Sequence, residues 1–298
     1  MAKPHSSTSK PAARPAQPPA GRAFSRTPLT RQHLVELVQR TLQPLPYVHA
    51  LWEGGSVAFG RADAFSDADV QACVDDDKVA ETFAAVEAEL EKVLGIETTF
   101  VVPEPTWHGH AQRFYRFVGR ESWLMLDFCV QKRSSTRRFL EPEIHGKQPF
   151  LFDKIELAAS IQRLDVETHE QRLRARIEML RTRMHLFAHM VEKECRRQRP
   201  LDAIHFYHGL IIAPLVELLR IRHDPWRHDF GMRYLHTTLP VDQARRLEDL
   251  LFIRNFPDLQ SKQRVAVRWF TELAAELARA PKLVYTTGGT VPPRRGNK

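Results

Sequence analysis

The chain has 298 residues, 43% of them hydrophobic and 27% charged, with 44 Lys/Arg against 36 Asp/Glu. That length suits one or two domains with a sizeable core, while no apolar run approaches the roughly 18 residues of a membrane span and no apolar leader core marks a secreted chain. The net charge of +8 is uneven: residues 1–31 hold six Lys/Arg and no acid, residues 286–298 hold three and no acid, and the remainder carries 35 bases against all 36 acids. Basicity of this kind belongs to solvated tails more than to a nucleic-acid-binding face.

Residues 1–28 are rich in Pro, Ala, Ser and basic groups and cannot bury enough surface to offset ordering entropy. Thr30 is an N-cap candidate for a helix carrying Leu34, Leu37, Val38 and Leu42. A first strand is predicted over 47–52, followed by Gly54-Gly55-Ser56, a short helix, and a second strand over 68–74. Asp75, Asp76 and Asp77 then stand as caps of a helix ending near Gly95, with Val79, Phe83, Val86, Leu90 and Leu94 at helical spacing. Further strands are predicted over 96–102, 111–118, 122–130 and 149–152. From about Asp153 the period turns helical, over 154–198, 201–222, 240–255 and 261–280. The expected organisation is a tail over 1–28, an α/β domain over 29–153, a helical domain over 154–282 and a second tail over 283–298. Cys73, Cys129 and Cys195 are far apart and read as buried thiols of a cytoplasmic protein.

Chemistry concentrates between the first two strands. Asp67 and Asp69 are two residues apart, so an extended backbone puts them on one face. Two carboxylates so close repel each other unless a cation lies between them, and all-oxygen ligation favours a hard ion such as Mg²⁺. Gly54 and Gly55 let the backbone approach a ligand, and Ser56 adds a hydroxyl and an N–H; together they suit a polyphosphate held next to a metal.

Read together, an apolar strand, Gly55-Ser56, ten residues and Asp67-Ala68-Asp69 resemble the signature of the polymerase-β-like nucleotidyltransferase superfamily. Asp127, a single acid in the apolar run Trp123–Val130, matches the family's third carboxylate. The resemblance covers roughly residues 45–155, and the layout with a C-terminal helical domain is similar to the antibiotic (aminoglycoside and lincosamide) nucleotidyltransferases. It implies an α+β fold, with a small mixed sheet flanked by helices and then a helical bundle. It also implies nucleotidyl transfer: a nucleoside monophosphate, AMP in the first instance, moves from ATP or another NTP to a hydroxyl of a small acceptor, and pyrophosphate leaves. On the same basis Asp67 and Asp69 bridge two Mg²⁺ ions, Asp127 binds the ion nearer the acceptor and is placed to take the hydroxyl proton, and Gly54, Gly55 and Ser56 hold the β- and γ-phosphates. Arg61, after Gly60 in the turn, and Lys154, where the two expected domains meet, are the candidates for further phosphate contacts.

Other groups are less specific. Trp107, His108, His110, Gln112, Arg113 and Tyr115 either line an acceptor pocket or pack the core. Glu104 and Asp153 are general-base candidates that no motif places. His185 and His189 have metal-ligand spacing but no third ligand nearby, and Arg183 with His189 matches only a permissive ribonuclease-like spacing. The loop over 220–235 is dense in Arg, His and aromatic residues and reads as an acceptor rim or an interdomain brace, with Arg233 its leading candidate. Transfer to tRNA or protein and a non-catalytic scaffold are the alternative functions. Nucleic acid is the less favoured partner, no membrane is expected, and the oligomeric state is open.

Overall fold

A computed structural model describes residues 29–161 and 163–285. The two expected tails, 1–28 and the residues from 286 onward, lie outside the described residues.

Helix α1 (Arg31–Leu42) begins where Thr30 caps it, its hydroxyl accepting from the His33 N–H, and it buries Leu34, Val35, Leu37, Val38 and Leu42. Strand β1 (Val48–Glu53) runs into the short helix α2 (Gly55–Ala58), and β2 (Ala68–Val74) follows after a turn. Helix α3 (Val79–Val93) leads to β3 (Ile96–Val101), β4 (Ala111–Phe117) and β5 (Leu126–Lys132). The short helix α4 (Pro142–His145) and β6 (Phe150–Asp153) complete this part. The six strands form one mixed sheet in the order β3-β4-β5-β2-β1-β6. Only β2 and β5 pair in parallel; the other neighbours are antiparallel.

The pleat divides the sheet into two unlike faces. Val70, Ala72, Val74, Leu126, Phe128 and Val130 pack with α1 and α3 in one core. The Phe83 and Phe128 rings meet edge-on within it, 5.4 Å between centroids. Their neighbours in sequence, Asp69, Gln71 and Cys73 on β2 and Asp127, Cys129 and Gln131 on β5, occupy the other face, where a smaller cluster of Ala50, Trp52, Cys73, Leu140 and Leu157 packs. That second face carries the polar residues of interest.

The C-terminal half is helical: α5 (Val166–Phe187), α6 (His189–Arg196), α7 (Pro200–Phe206), a π segment over Tyr207–Ile212, α8 (Ala213–His223), α9 (Leu235–Thr238), α10 (Val241–Leu251) and α11 (Phe256–Arg279). Its core is separate, built from Leu173, Ile177, Leu180, Tyr207, Ile211, Leu215, Leu218, Phe270 and Leu277 among others. The continuous run Pro200–His223 is long and apolar enough to cross a membrane by length and composition. Here it is the central helix of that core, with Ala203, Tyr207, Ile211, Leu215 and Leu219 fully buried.

Three sequence expectations shift. The described stretches 154–161 and 163–165 are not helical apart from a 3₁₀ turn over Leu157–Ser160, where Asp153 spends its carboxylate on the N–H groups of Ile155, Leu157 and Ala158. The acids before α3 do not cap it: Asp75 pairs with His49 at 2.7 Å and Asp76 accepts from the Ser134 N–H. Strand β5 starts at Leu126, four residues later than predicted, leaving Trp123 in a turn.

Candidate active site

The parallel register of β2 with β5 sets Asp69 directly opposite Asp127. Both side chains leave the sheet on the same face, where the C-terminal end of β1 meets the first residues of β2 and β5. The Gly54 N–H donates to the Asp69 carbonyl at 2.9 Å, which draws the Gly54-Gly55-Ser56 turn down onto the carboxylates. Gly55 has φ +53°, and a Cβ there would lie 1.7 Å from Asp69 Oδ2. Only glycine leaves room for that carboxylate and adopts that backbone without strain. On the other side Gln112, from β4, donates to Asp127 Oδ1 at 2.6 Å, and Gln112 Oε1 meets His108 Nε2 at 3.1 Å.

Electrostatics follow from this packing. Burial, with Asp67 and Asp127 nearby, pushes the Asp69 carboxyl up to about 7. Burial also raises Asp127, to about 6, against the pull of the Gln112 hydrogen bond. Both shifts favour the protonated form more than in an ordinary aspartate, and a bound cation would act against them. An all-carboxylate donor set without thiolate or imidazole fits a hard divalent ion. Asp67 stands one residue before β2, so the pleat does not hold it on the face of Asp69. Among the described residues no group of three His, Cys, Asp or Glu is placed to hold a metal, while the Asp67 charge still reaches both Asp69 and Asp127. The fit is to the Asp69–Asp127 pair, with Asp67 on the adjoining loop.

Ser56 lies in α2 with its hydroxyl buried and without a hydrogen-bond partner among the described residues. Beyond it Arg61 stacks on the rings of Phe59 and Tyr234, 5.2 and 5.9 Å from their centroids. Burial and the Arg227 charge lower its pKa, and it forms no ion pair with any described carboxylate. Arg227, from the helical half, covers the same Phe59 ring at 4.8 Å and is held by Asp224 at 2.6 Å. Buried Arg220 donates to the carbonyls of Gly231 and Arg233 and fixes the loop that carries these groups. The expected brace over 220–235 thus stands against the Gly-Ser turn. Arg233 itself packs over Phe230 at 5.4 Å.

Lys154 needs correction. Its ammonium donates to the Leu45 carbonyl at 2.8 Å and lies 5.2 Å from the Phe152 ring. β6 runs antiparallel to β1 with Asp153 opposite Ala50, so Lys154 sits beside the start of β1. Roughly 15 Å of strand separates that point from Gly54 at the other end. Asp153 is spent on the following turn, as described, and is not a base at this site. Arg113 and Tyr115 both bond Glu87 of α3, on the far face of the sheet. His185 and His189 fall on different helices, since α5 ends at Phe187.

Several members of the site carry no sequence signal. Arg31, the first residue of α1, ion-pairs with buried Glu53 beside Gly54, and its charge also reaches Asp69. Gln131 donates to Gln71 at 2.8 Å, continuing the polar row behind the carboxylates. Phe139, at φ +55°, gathers the rings of Trp107, His108, His110 and His145 within 6.2 Å of its own. In the β4–β5 register Gln112 faces Cys129, so its bond to Asp127 runs diagonally across the pair and no sequence spacing signals it. A groove of about 670 Å³ between α5 and α11 shares no residue with the carboxylate site.

No protein-family model matches the chain, and no curated protein matches it by sequence. Among solved structures, an aminoglycoside 6-adenyltransferase from Bacillus subtilis aligns over 87% of this chain and 94% of its own at 11% identity and a TM-score of 0.37. A cytoplasmic RNA terminal U-transferase aligns over 65% of this chain and 45% of its own, at 15% identity and a TM-score of 0.25. At these values neither neighbour decides what this chain does, and the functional reading rests on its own carboxylates.

Proposed function

We propose that this chain is a metal-dependent nucleotidyltransferase that moves a nucleoside monophosphate from an NTP to an acceptor hydroxyl and releases pyrophosphate. The observation that carries the reading is Asp69 in register with Asp127 directly beneath a glycine-serine turn whose backbone no other residue type accommodates. Mg²⁺ is the ion and ATP the donor to test first. Asp69 and Asp127 would hold the ion, with Asp67 joining from the loop; when bound, it neutralises charge on the triphosphate and lowers the cost of forming the attacking oxyanion.

The chain's own groups supply positioning and proton transfer. Ser56 Oγ is free to donate to a phosphate oxygen, and Arg61 offers an uncommitted guanidinium at the outer end of the same turn. Gln112 fixes Oδ1 of Asp127 and leaves Oδ2 to accept the proton of the acceptor hydroxyl. Arg220 and Arg227 near the turn are buried and bonded to backbone carbonyls and to Asp224, which leaves Arg61 and Arg233 as the nearby arginines least committed to carboxylates.

The test is thermal unfolding with Mg²⁺ and a non-hydrolysable NTP. A ligand bound only by the folded state at a hundred times its Kd adds about 2.7 kcal/mol. We expect a Mg²⁺-dependent gain of that order in the wild type and none in Asp69→Asn/Asp127→Asn. A gain that survives the double substitution, or its absence with all four NTPs, would move the reading to the scaffold alternative.

A further inference from the structure

A chain of hydrogen bonds reaches Asp127 from the loop between β3 and β4, and its direction is set at the far end. The His110 backbone N–H, which can only donate, meets His108 Nδ1 at 3.2 Å. That nitrogen accepts and so carries no proton. The Thr106 hydroxyl lies 3.3 Å from the same nitrogen, but its single proton goes to the His110 carbonyl at 2.7 Å. An imidazole whose Nδ1 accepts is neutral and carries its proton on Nε2. His108 Nε2 therefore donates to Gln112 Oε1 at 3.1 Å. The amide is turned with its oxygen toward His108 and its NH₂ toward Asp127 Oδ1, 2.6 Å away.

The reverse orientation of the Gln112 amide fails at both ends. Its oxygen would face the Asp127 carboxylate, acceptor against acceptor, and its NH₂ would face the His108 Nε2–H, donor against donor. The imidazole itself is held between rings: Trp107 and Phe139 meet it edge-on, with centroids 5.1 and 6.2 Å from its own, and the His110 ring lies 5.6 Å away. A half-buried histidine on a loop thus decides which group the carboxylate meets four strands' width from any motif residue of its own.

We infer that His108 is a positioning residue for the proposed nucleotidyl transfer: it fixes the orientation of the Gln112 amide, and through it the set of the Asp127 carboxylate. The inference rests on the nucleotidyl-transfer reading above. No bond joins His108 to Asp127, so its whole effect passes through Gln112. Groups that orient a metal-binding side chain in this way typically govern metal affinity by about 10–100-fold.

Two substitutions separate this role from simple bracing of the loop. The amide oxygen of Asn reaches the place of Nδ1, so His108→Asn can keep the bond from the His110 N–H while losing the donor to Gln112. The amide nitrogen of Gln reaches the place of Nε2, so His108→Gln keeps the donor and gives up the loop bond. In the experiment Mg²⁺ is titrated into the full chain at a fixed excess of the non-hydrolysable NTP that most stabilises the wild type, with thermal unfolding as the readout and each variant's Tm without Mg²⁺ as its reference. His108→Asn and His108→Ala should raise the Mg²⁺ concentration giving half the effect by about tenfold or more, and His108→Gln by no more than ~3-fold. His108→Ala added to Gln112→Ala should change nothing further, since the two act as one unit. Imidazole ¹⁵N spectra of the wild type should show His108 with a protonated Nε2 and a bare Nδ1.

The opposite ranking of Asn and Gln, equal midpoints in all variants, additive effects in the double substitution, or a proton on Nδ1 would each overturn the assignment and leave the nucleotide site standing. Absence of any Mg²⁺-dependent NTP effect in the wild type would instead overturn the reading beneath it, and with it the purpose given to His108.

Discussion

Replacing Gly55 by Ala tests the geometry at its tightest point. The new Cβ would lie 1.7 Å from Asp69 Oδ2 and 2.5 Å from Asp69 Cγ, so the carboxylate has to rotate away from Asp127 or the turn has to lift. The backbone contributes separately, because φ is +53° and a non-glycine residue in the left-handed region costs roughly 1–2 kcal/mol. Overpacking of this kind adds about 1–3 kcal/mol. Gly60 supplies the control: it has φ +63° with no atom within 4 Å of an added Cβ, so Gly60→Ala carries the backbone cost only. Thermal unfolding should therefore place Gly55→Ala below Gly60→Ala by the packing cost, which at this chain size is several degrees of Tm. The stabilisation by Mg²⁺ with NTP should survive in Gly60→Ala and vanish in Gly55→Ala. Equal Tm and equal NTP response in the two variants would show that the turn does not rest on Asp69.

Three further outcomes are expected. Asp69 and Asp127 have carboxyls raised to about 7 and about 6, above the unfolded value near 4, so the folded metal-free protein retains protons that the unfolded chain has lost. Their contribution is full below about pH 4 and is lost as pH rises through the folded values; denaturant titrations of the metal-free protein should show Asp69→Asn gaining stability relative to wild type between pH 5 and 8, in steps of about 1.4 kcal/mol per pKa unit relieved. Gln112→Ala removes the donor to Asp127 Oδ1 and frees that carboxylate to rotate, so kcat should fall by about tenfold or more with little change in Tm, whereas a change confined to KM would place Gln112 outside the reacting group. Arg220→Ala removes a 3.7 Å ion pair from Asp224, which keeps its bond to Arg227, and unlatches the Gly231 and Arg233 carbonyls; a loss of about 1–3 kcal/mol is expected from chemical denaturation, and Arg220→Lys should recover only part of it.

What was legible in the sequence is what depends on short-range pattern. The alternation Ala68, Val70, Ala72, Val74 on one side and Asp69, Gln71, Cys73 on the other announces β2 and its polar face, and Thr30 announces α1. Gly54-Gly55-Ser56 marks a turn needing close backbone approach, and the structure puts Asp69 under it. Asp127 stood out as one acid among apolar neighbours, and the β2–β5 register brings it opposite Asp69. Lys154 was misjudged because its position depends on the direction of β6, an edge strand of four residues whose antiparallel pairing with β1 no local pattern reveals. The Arg31–Glu53 pair and the Arg227 contact with Phe59 join residues far apart in sequence, through helices whose packing is set by the whole core. No periodicity encodes such contacts. The expected cap at Asp75–Asp77 failed for a related reason, since His49 and Ser134 arrive from elsewhere to claim two of the acids.

The two halves contribute opposite charges to one place, and that division explains why the folded body is nearly neutral while its site is not. The sheet supplies carboxylates: Asp69, Asp127, Asp67 and Glu53 all lie at one end of β1, β2 and β5. The helical half supplies guanidinium groups through the loop that Arg220 holds rigid, and Phe59 is the surface on which Arg61 and Arg227 meet. Two buried acids and two nearby arginines do not neutralise each other here, because Arg227 is already bonded to Asp224 and Arg61 lies over aromatic rings beyond the Gly-Ser turn. On the nucleotidyl-transfer reading, a metal-bound triphosphate would turn its metal-facing oxygens to the carboxylates and its remaining negative charge to Arg61.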